Sequence, residues 1–426
     1  MARRTPTRAA ALAAAATCLG TGLAAGPAAG LAAPAAAAPP PKPVINGPVF
    51  NDPLGPAAAQ RAIFDQTIRL IDATPAGQEI RASVFGLKDA EVAGALKAAA
   101  ARGVRVKVIV DDDSLGSPAW KLLSQALGTR DTAPSWIVAC KKAQGCVSRQ
   151  VPRSGLPSYN HNKFFAFSKV GPFADGTSHA KVVLQTSSNY SDWYKKVTYN
   201  DAVTFSDARV YDGYARYHED QRRLRGGKGN NSYYRSTPAG GQYRAYFFPR
   251  WDKNVGNPAT DTMVNALDEV KCSYTGRDGK RRQTDIRIVN FQFGKGRMQL
   301  ARKLTALRKQ GCWIDVVHSG VGTEMAKEVR AALKNGKVQL TACSIAKGAV
   351  KGIRPHIKTL LIDGSTGGRT EPRVYTGSHN YTPSALRTAD EALVRIVDPA
   401  PGRPGAAYHA AFRQNFFKIR KACGRP

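Results

Sequence analysis

The sequence predicts an α/β chain made of two similar halves related by a pseudo-twofold axis. Three observations predict it. Helix-like and strand-like segments alternate, as they do where helices flank a sheet. A pattern that runs to about residue 221 begins again after residue 242. The stretch between them, RRLRGGKGNNSYYRSTPAGG at 222–241, is rich in Gly, Ser and Arg and holds neither period. The expected organisation is a first half over 50–221, a linker over 222–241 and a second half over 242–426, with residues 1–38 and a proline-rich, extended leader at 39–49 ahead of them.

In the first half, Ile63, Phe64, Ile68 and Ile71 recur at helical spacing, and Thr74-Pro75-Ala76-Gly77 closes that helix. Ile80 to Phe85 reads as a strand, Asp89 to Arg102 as a helix ended by Gly103, and Val104 to Val110 as a buried strand running into Asp111-Asp112-Asp113. Strand, helix, strand predicts a parallel pair with a right-handed crossover. The three acids fit a solvated turn or a helix N-cap, and a metal cluster is the competing reading. A helix near Trp120 to Leu127, a strand at Trp136 to Ala139 and a basic loop from Lys141 to Pro157 follow. Next come a strand bearing His161, a turn around Gly171 to Ser178, a strand at Lys181 to Gln185, an aromatic polar segment, and Asp201 to Phe205 as the closing strand.

The second half repeats this order. DIRIVNF at 285–291 echoes EIRASVF at 79–85, Gly311 echoes Gly103, and LTACSIAKG at 340–348 matches IVACKKAQG at 137–145, which sets Cys343 where Cys140 stands. His356 lies 195 residues after His161, and Asn380 lies 191 after Asn189. One duplication explains these offsets together, and it brings an H-x-K from each half to the join.

Two H-x-K segments, His161 with Lys163 and His356 with Lys358, each precede an S-x-N, Ser187 with Asn189 and Ser378 with Asn380. On a strand, residues two apart share a face, so imidazole and ammonium project together. His179-Ala180-Lys181 is a third H-x-K, but it has no counterpart in the second half, where Thr370 and Pro372 fill the equivalent places, so the repeat rejects it. A phosphodiester repels nucleophiles and needs a protonated leaving group, and two histidines can divide those tasks near neutral pH. Lysines and asparagines supply fixed charge and donors to the phosphoryl oxygens, so no metal or cofactor is required. An acid on the far ring nitrogen of each histidine would set its tautomer. Asp201, 12 residues after Asn189, and Glu391, 11 after Asn380, are the candidates.

The paired motifs resemble those of the phospholipase D superfamily, H-x-K-x-x-x-x-D followed by G-S-x-N. The second half matches in full through His356, Lys358, Asp363, Gly377, Ser378 and Asn380. The first half departs twice, with Ser168 in place of the Asp and Thr186 in place of the Gly. The resemblance implies an α-β-α sandwich in each half, an active site at their interface, and a two-step reaction through a phosphohistidine. By the same analogy His161 attacks and His356 protonates the leaving alcohol, then activates water. The resemblance covers phospholipases, transferring synthases and metal-independent nucleases. The rival classes are therefore a lipase on a membrane surface, a nuclease, and a non-catalytic binder of anionic polymers. Tyr159, Phe164, Trp193, Tyr194 and Tyr381 are placed to pack on a lipid glycerol, stack on a base, or fill the core.

Composition sharpens the setting. The formal charge of +32 falls only to +29 when Arg3, Arg4 and Arg8 are removed, which favours a phosphate-bearing partner or an anionic surface. Those arginines precede an alanine-rich apolar run with A-x-A sites, which reads as a cleaved export signal over 1–38 and a secreted product. A lipid anchor on Cys18 is disfavoured, because Ala15 stands where such motifs have Leu. Six cysteines then remain, an even number suited to an oxidising compartment. The sequence does not fix their pairing; Cys140 with Cys146, Cys272 with Cys312 and Cys343 with Cys423 are expected. The protein is expected to act as a monomer.

Overall fold

Each half gathers most of its strands into one large sheet, and the two large sheets have the same order. The computed structural model describes residues 41–276, 278–399 and 405–424. The export signal expected over 1–38, with Cys18, and the first residues of the leader lie outside the described residues. In the seven-stranded first sheet the order is Gly47–Phe50, Asp201–Ser206, His179–Thr186, Lys163–Val170, Glu79–Val84, Arg105–Val110, Trp136–Ala139. The second runs Tyr243–Phe247, Ala392–Val397, Arg373–Gly377, Lys358–Asp363, Asp285–Asn290, Trp313–Ser319, Gln339–Cys343, with the short strand Arg235–Ser236 added at its edge.

Pairing senses repeat as well. Glu79–Val84 is parallel to Arg105–Val110 and antiparallel to Lys163–Val170, and Asp285–Asn290 is parallel to Trp313–Ser319 and antiparallel to Lys358–Asp363. The leader expected over 39–49 ends inside this architecture, because Gly47–Phe50 pairs antiparallel with Asp201–Ser206. In the linker stretch, residues 222–224 complete a helix and Arg235–Ser236 pairs with the strand Tyr243–Phe247.

Helices cover the outer faces, and two more lie between the sheets. Ala57–Asp72, Ala90–Ala101 and Pro118–Leu127 pack their apolar sides on the outer face of the first sheet, against Ile80, Val108, Phe165 and Leu184. Thr262–Asp268, Met298–Lys309 and Lys327–Asn335 do the same on the second, against Ile288, Val316 and Leu360. Period-two alternation sends Phe164, Ala166, Val183 and Phe205 the other way, into a core shared with Val289, Leu361, Val374 and Val394 of the second sheet. Two helices fill that shared core, Ala208–Leu224 and His409–Ala422.

The sequence reading missed the helix Ala208–Leu224. Its buried stripe of Val210, Tyr211, Tyr214, Tyr217 and His218 is largely tyrosine set among charged residues, so hydropathy hides its helical spacing. Asp207 caps it by accepting the Val210 N–H at 3.0 Å. All three expected disulfides are formed, Cys140–Cys146, Cys272–Cys312 and Cys343–Cys423. Among the described residues no helix is long and apolar enough to cross a membrane.

Candidate active site

The repeated topology sets the two H-x-K segments in equivalent central places. In each, lysine is the first residue of a strand, Lys163–Val170 or Lys358–Asp363, and histidine lies just before it. The expected shared strand face is therefore corrected, because each histidine bonds across to the opposite half. The His161 N–H donates to the Asp390 carbonyl at 2.9 Å, and the His356 N–H donates to the Tyr199 carbonyl at 2.8 Å. Each lysine Nζ turns back on its own histidine: Lys163 donates to the His161 carbonyl at 2.7 Å, and Lys358 to that of His356. Each also lies 5.2 Å from the centre of a phenylalanine ring that ends a neighbouring strand, Phe85 in one half and Phe291 in the other.

The ring partners differ. His161 Nδ1 lies 2.9 Å from Glu391 Oε1, whereas His356 Nδ1 lies 3.1 Å from Asn200 Oδ1. The Asn200 amide is oriented by its own donors, Nδ2 giving hydrogen bonds to Thr198 Oγ1 at 2.7 Å and to the Tyr194 carbonyl at 3.1 Å. An oxygen therefore faces each Nδ1, and at His356 the Lys358 Nζ lies 3.1 Å from the same atom.

Asp201, expected on His356, is turned elsewhere. Its Oδ2 accepts from Thr359 Oγ1 at 3.0 Å and from Thr376 Oγ1. The reason is a one-residue register. Ser187 N–H donates to the Asp201 carbonyl and Ser378 N–H to the Ala392 carbonyl, so Asp201 matches Ala392 and Asn200 matches Glu391. Counting 11 residues from Asn189, as Glu391 counts from Asn380, would have found Asn200.

Burial concentrates charge here. Lys163 and Lys358 are 0% and 1% exposed, His161 and His356 7% and 3%. Burial pushes Lys163 down to about 7, and burial with the neighbouring Lys163 ammonium pushes Lys358 well down. Both histidines are held well below the usual imidazole value, by burial first and then by the lysines of both halves. Burial raises Glu391 well above the usual carboxyl value, against the pull of Lys163. Among the described residues no group of three or more His, Cys, Asp or Glu is arranged to hold a metal ion. Asp111 instead accepts the N–H groups of Asn160 and Asp113.

The sequence matches the family described as cardiolipin synthase, PLD-like domain, over residues 68–221 and 280–418. This chain belongs to the phospholipase D-like family. Its fold is similar to that of phosphatidylserine synthase from Haemophilus influenzae Rd KW20, with a TM-score of 0.53 and 13% identity over 88% of this chain and 86% of that one. Polyphosphate kinase from Porphyromonas gingivalis is similar at a TM-score of 0.49 and 13% identity; the match covers 89% of this chain but spans 59% of the kinase. Nuc from Salmonella typhimurium, a phospholipase D family member, gives a TM-score of 0.29 and 18% identity over 42% of this chain and 94% of that one. No curated protein is similar enough in sequence to match.

Against the phospholipase D-like motif, the two departures of the first half have local explanations. Ser168 lies toward the far end of Lys163–Val170, where its Oγ accepts the Glu79 N–H at 2.8 Å and donates to Gln78 Oε1 at 2.9 Å. Its counterpart Asp363 ends Lys358–Asp363, roughly 16 Å along the strand from Lys358, so the structure does not bring Asp363 to the site. At Gly377 a Cβ would collide with the Ala392 carbonyl. Thr186, in the matching place, instead donates its hydroxyl to the Asp201 carbonyl at 2.6 Å.

Ser187 Oγ accepts the Asp201 N–H at 2.9 Å and Ser378 Oγ the Ala392 N–H at 3.1 Å, so both serines lock the strand ends that carry the ring partners. Asn189 Oδ1 accepts the Gly86 N–H at 3.3 Å, and Asn380 Nδ2 donates to Gln292 Oε1 at 3.3 Å. Of the aromatic residues singled out, Tyr159 lies 5.5 Å from the His161 ring, and Tyr194 and Trp193 lie 5.0 and 6.3 Å from that of His356. Phe164 and Tyr381 belong to the core. His179 starts an outer stretch of its strand beside Phe173, and Lys181 pairs with Asp212.

Proposed function

We propose that this protein is a secreted, metal-independent phosphodiesterase of phospholipase D type that hydrolyses or transfers phospholipid head groups through a phosphohistidine. One observation carries the chemistry: each imidazole has an oxygen on Nδ1, one from the Glu391 carboxyl and the other from the Asn200 amide, which favours the proton on Nδ1 and makes Nε2 the reacting atom. His161 Nε2 attacks phosphorus while Nδ1 keeps its proton, so the phosphorylated ring is cationic and the Glu391 carboxylate balances it. His356 has a neutral oxygen and the Lys358 Nζ, 3.1 Å away, beside its Nδ1. An imidazolium there is poorly stabilised and gives its Nε2 proton readily to the departing alkoxide oxygen. The P–O bond breaks as the N–P bond forms. Neutral His356 then takes a proton from water, or from an acceptor alcohol, whose oxygen displaces His161. Lys163, Lys358, Asn189 and Asn380 hold the phosphoryl oxygens.

A lipid substrate is supported by the description of the matched family and by the likeness in fold to phosphatidylserine synthase. The excess of 63 Lys and Arg over 31 Asp and Glu favours a second reading, a nuclease. Parallel assays with chelator present decide. Head-group release from phosphatidylcholine vesicles supports the first reading, and degradation of plasmid or single-stranded DNA with intact lipid supports the second. No turnover of either, or of a chromogenic diester, leaves a non-catalytic binder of anionic polymers.

A further inference from the structure

Asp390, the residue before Glu391, is fully buried and gripped by a loop of the other half. Its Oδ2 accepts the N–H groups of Cys146 at 2.7 Å and Val147 at 2.9 Å, and its Oδ1 accepts that of Ser148 at 2.7 Å. Gln221 Nε2 adds a fourth contact at 3.3 Å. The main chain of Asp390 is committed to the first half as well, its N–H to the Tyr159 carbonyl and its carbonyl to the His161 N–H, each at 2.9 Å. The Cys140–Cys146 disulfide ties Cys146, the first of the three donors, to the end of the strand Trp136–Ala139. Gly145 completes the fit: a Cβ there would lie 2.5 Å from Asp390 Oδ1 and would overlap Ser148 Oγ. The second half-site is held differently: Asn51 Oδ1 accepts the Asn200 N–H at 2.6 Å, and Asn51 Nδ2 donates to the Thr198 carbonyl at 2.9 Å. Tyr199, in the place of Asp390, packs in the apolar core between the sheets.

We propose that the segment Cys146–Ser148, tied by the Cys140–Cys146 disulfide to the end of the strand Trp136–Ala139, is a positioning element for the reaction centre, gripping the Asp390 carboxylate through three backbone N–H groups and so fixing Glu391 against His161. Hydrogen bonds to a carboxylate are roughly twice as strong as neutral ones, and the disulfide ties the first of the three donors to the strand end at Cys140. Glu391 needs such support. It is fully buried, and its Oε1 lies 2.9 Å from His161 Nδ1, so its placement sets that of the ring. Asp390 is a positioning residue, acting through its neighbour. The rate effects below rest on the proposed chemistry; the spectroscopic effect does not.

The test uses full-length protein labelled with 15N-histidine, in wild type, Gly145→Ala, Asp390→Asn and the double variant Cys140→Ser with Cys146→Ser. Wild type shows a downfield Nδ1 proton of His161, assigned by its loss in His161→Ala. In the three variants that signal weakens or moves upfield. On a chromogenic diester, kcat falls about 10- to 100-fold while KM stays within about twofold. The pH profile of kcat also changes, because the groups facing His161, namely Glu391, Lys163, Lys358 and Tyr159, no longer hold their spacing. Gly145→Ala keeps the acid and both cysteines, so it decides where a harsher variant fails to fold. An unchanged His161 signal and unchanged kcat in folded Gly145→Ala and in the double variant overturn the proposal. A wild type with the downfield proton but no turnover overturns the phosphodiesterase reading and leaves the positioning element standing.

Discussion

The two half-sites share topology, backbone bonds and lysines, and they differ in what backs the imidazole. His161 faces the carboxylate of Glu391; His356 faces the amide of Asn200 with the Lys358 Nζ beside it. A duplication that kept both histidines has thereby made them unequal. On the proposed mechanism, a carboxylate suits the ring that becomes a phosphorylated cation, and an amide suits the ring that gives a proton away. The difference also extends outward, since backbone N–H groups beside the Cys140–Cys146 disulfide grip Asp390 on the acid side, whereas the Asn51 side chain holds the backbone of Asn200 on the amide side.

The comparison breaks most severely when either ring is removed. His161→Ala and His356→Ala should each lower kcat about 10³-fold or more on a diester, measured with folded protein. Only His356→Ala should regain rate with a diester whose leaving group needs no proton, because attack by His161 survives. Glu391→Gln makes the two half-sites alike and should cost about 10²-fold in kcat.

Asn200→Asp makes them alike in the other sense, and its sign follows from the acid role. His356 must be protonated to act, and burial with Lys358 and Lys163 holds it below the usual imidazole value. Activity should therefore fall as pH rises through a limb lying below about 6.5. A carboxylate at residue 200 should move that limb up by about one pH unit. The smallest effect is expected for His179→Ala, which should leave kcat/KM within about twofold.

Much of this was legible before the fold. The duplication gave the order of elements along both halves and the matched positions of the paired histidines and lysines. Two things were not legible. The helix Ala208–Leu224 buries tyrosines rather than aliphatic residues, so its helical face carries little hydropathy contrast. The ring partner of His356 was set one residue too far, at Asp201, because chemistry favoured an acid where strand register places Asn200. Asp390 was invisible for a different reason: its partners Cys146, Val147 and Ser148 lie more than 240 residues earlier in the chain and use only their backbone N–H groups.

The inequality of the two rings is tested most directly by locating the covalent intermediate. Wild-type protein quenched in alkali during turnover of a short-chain phospholipid, then digested and mapped by mass spectrometry, should carry the phosphoryl adduct on the peptide containing His161. An adduct on the peptide containing His356 would contradict the account.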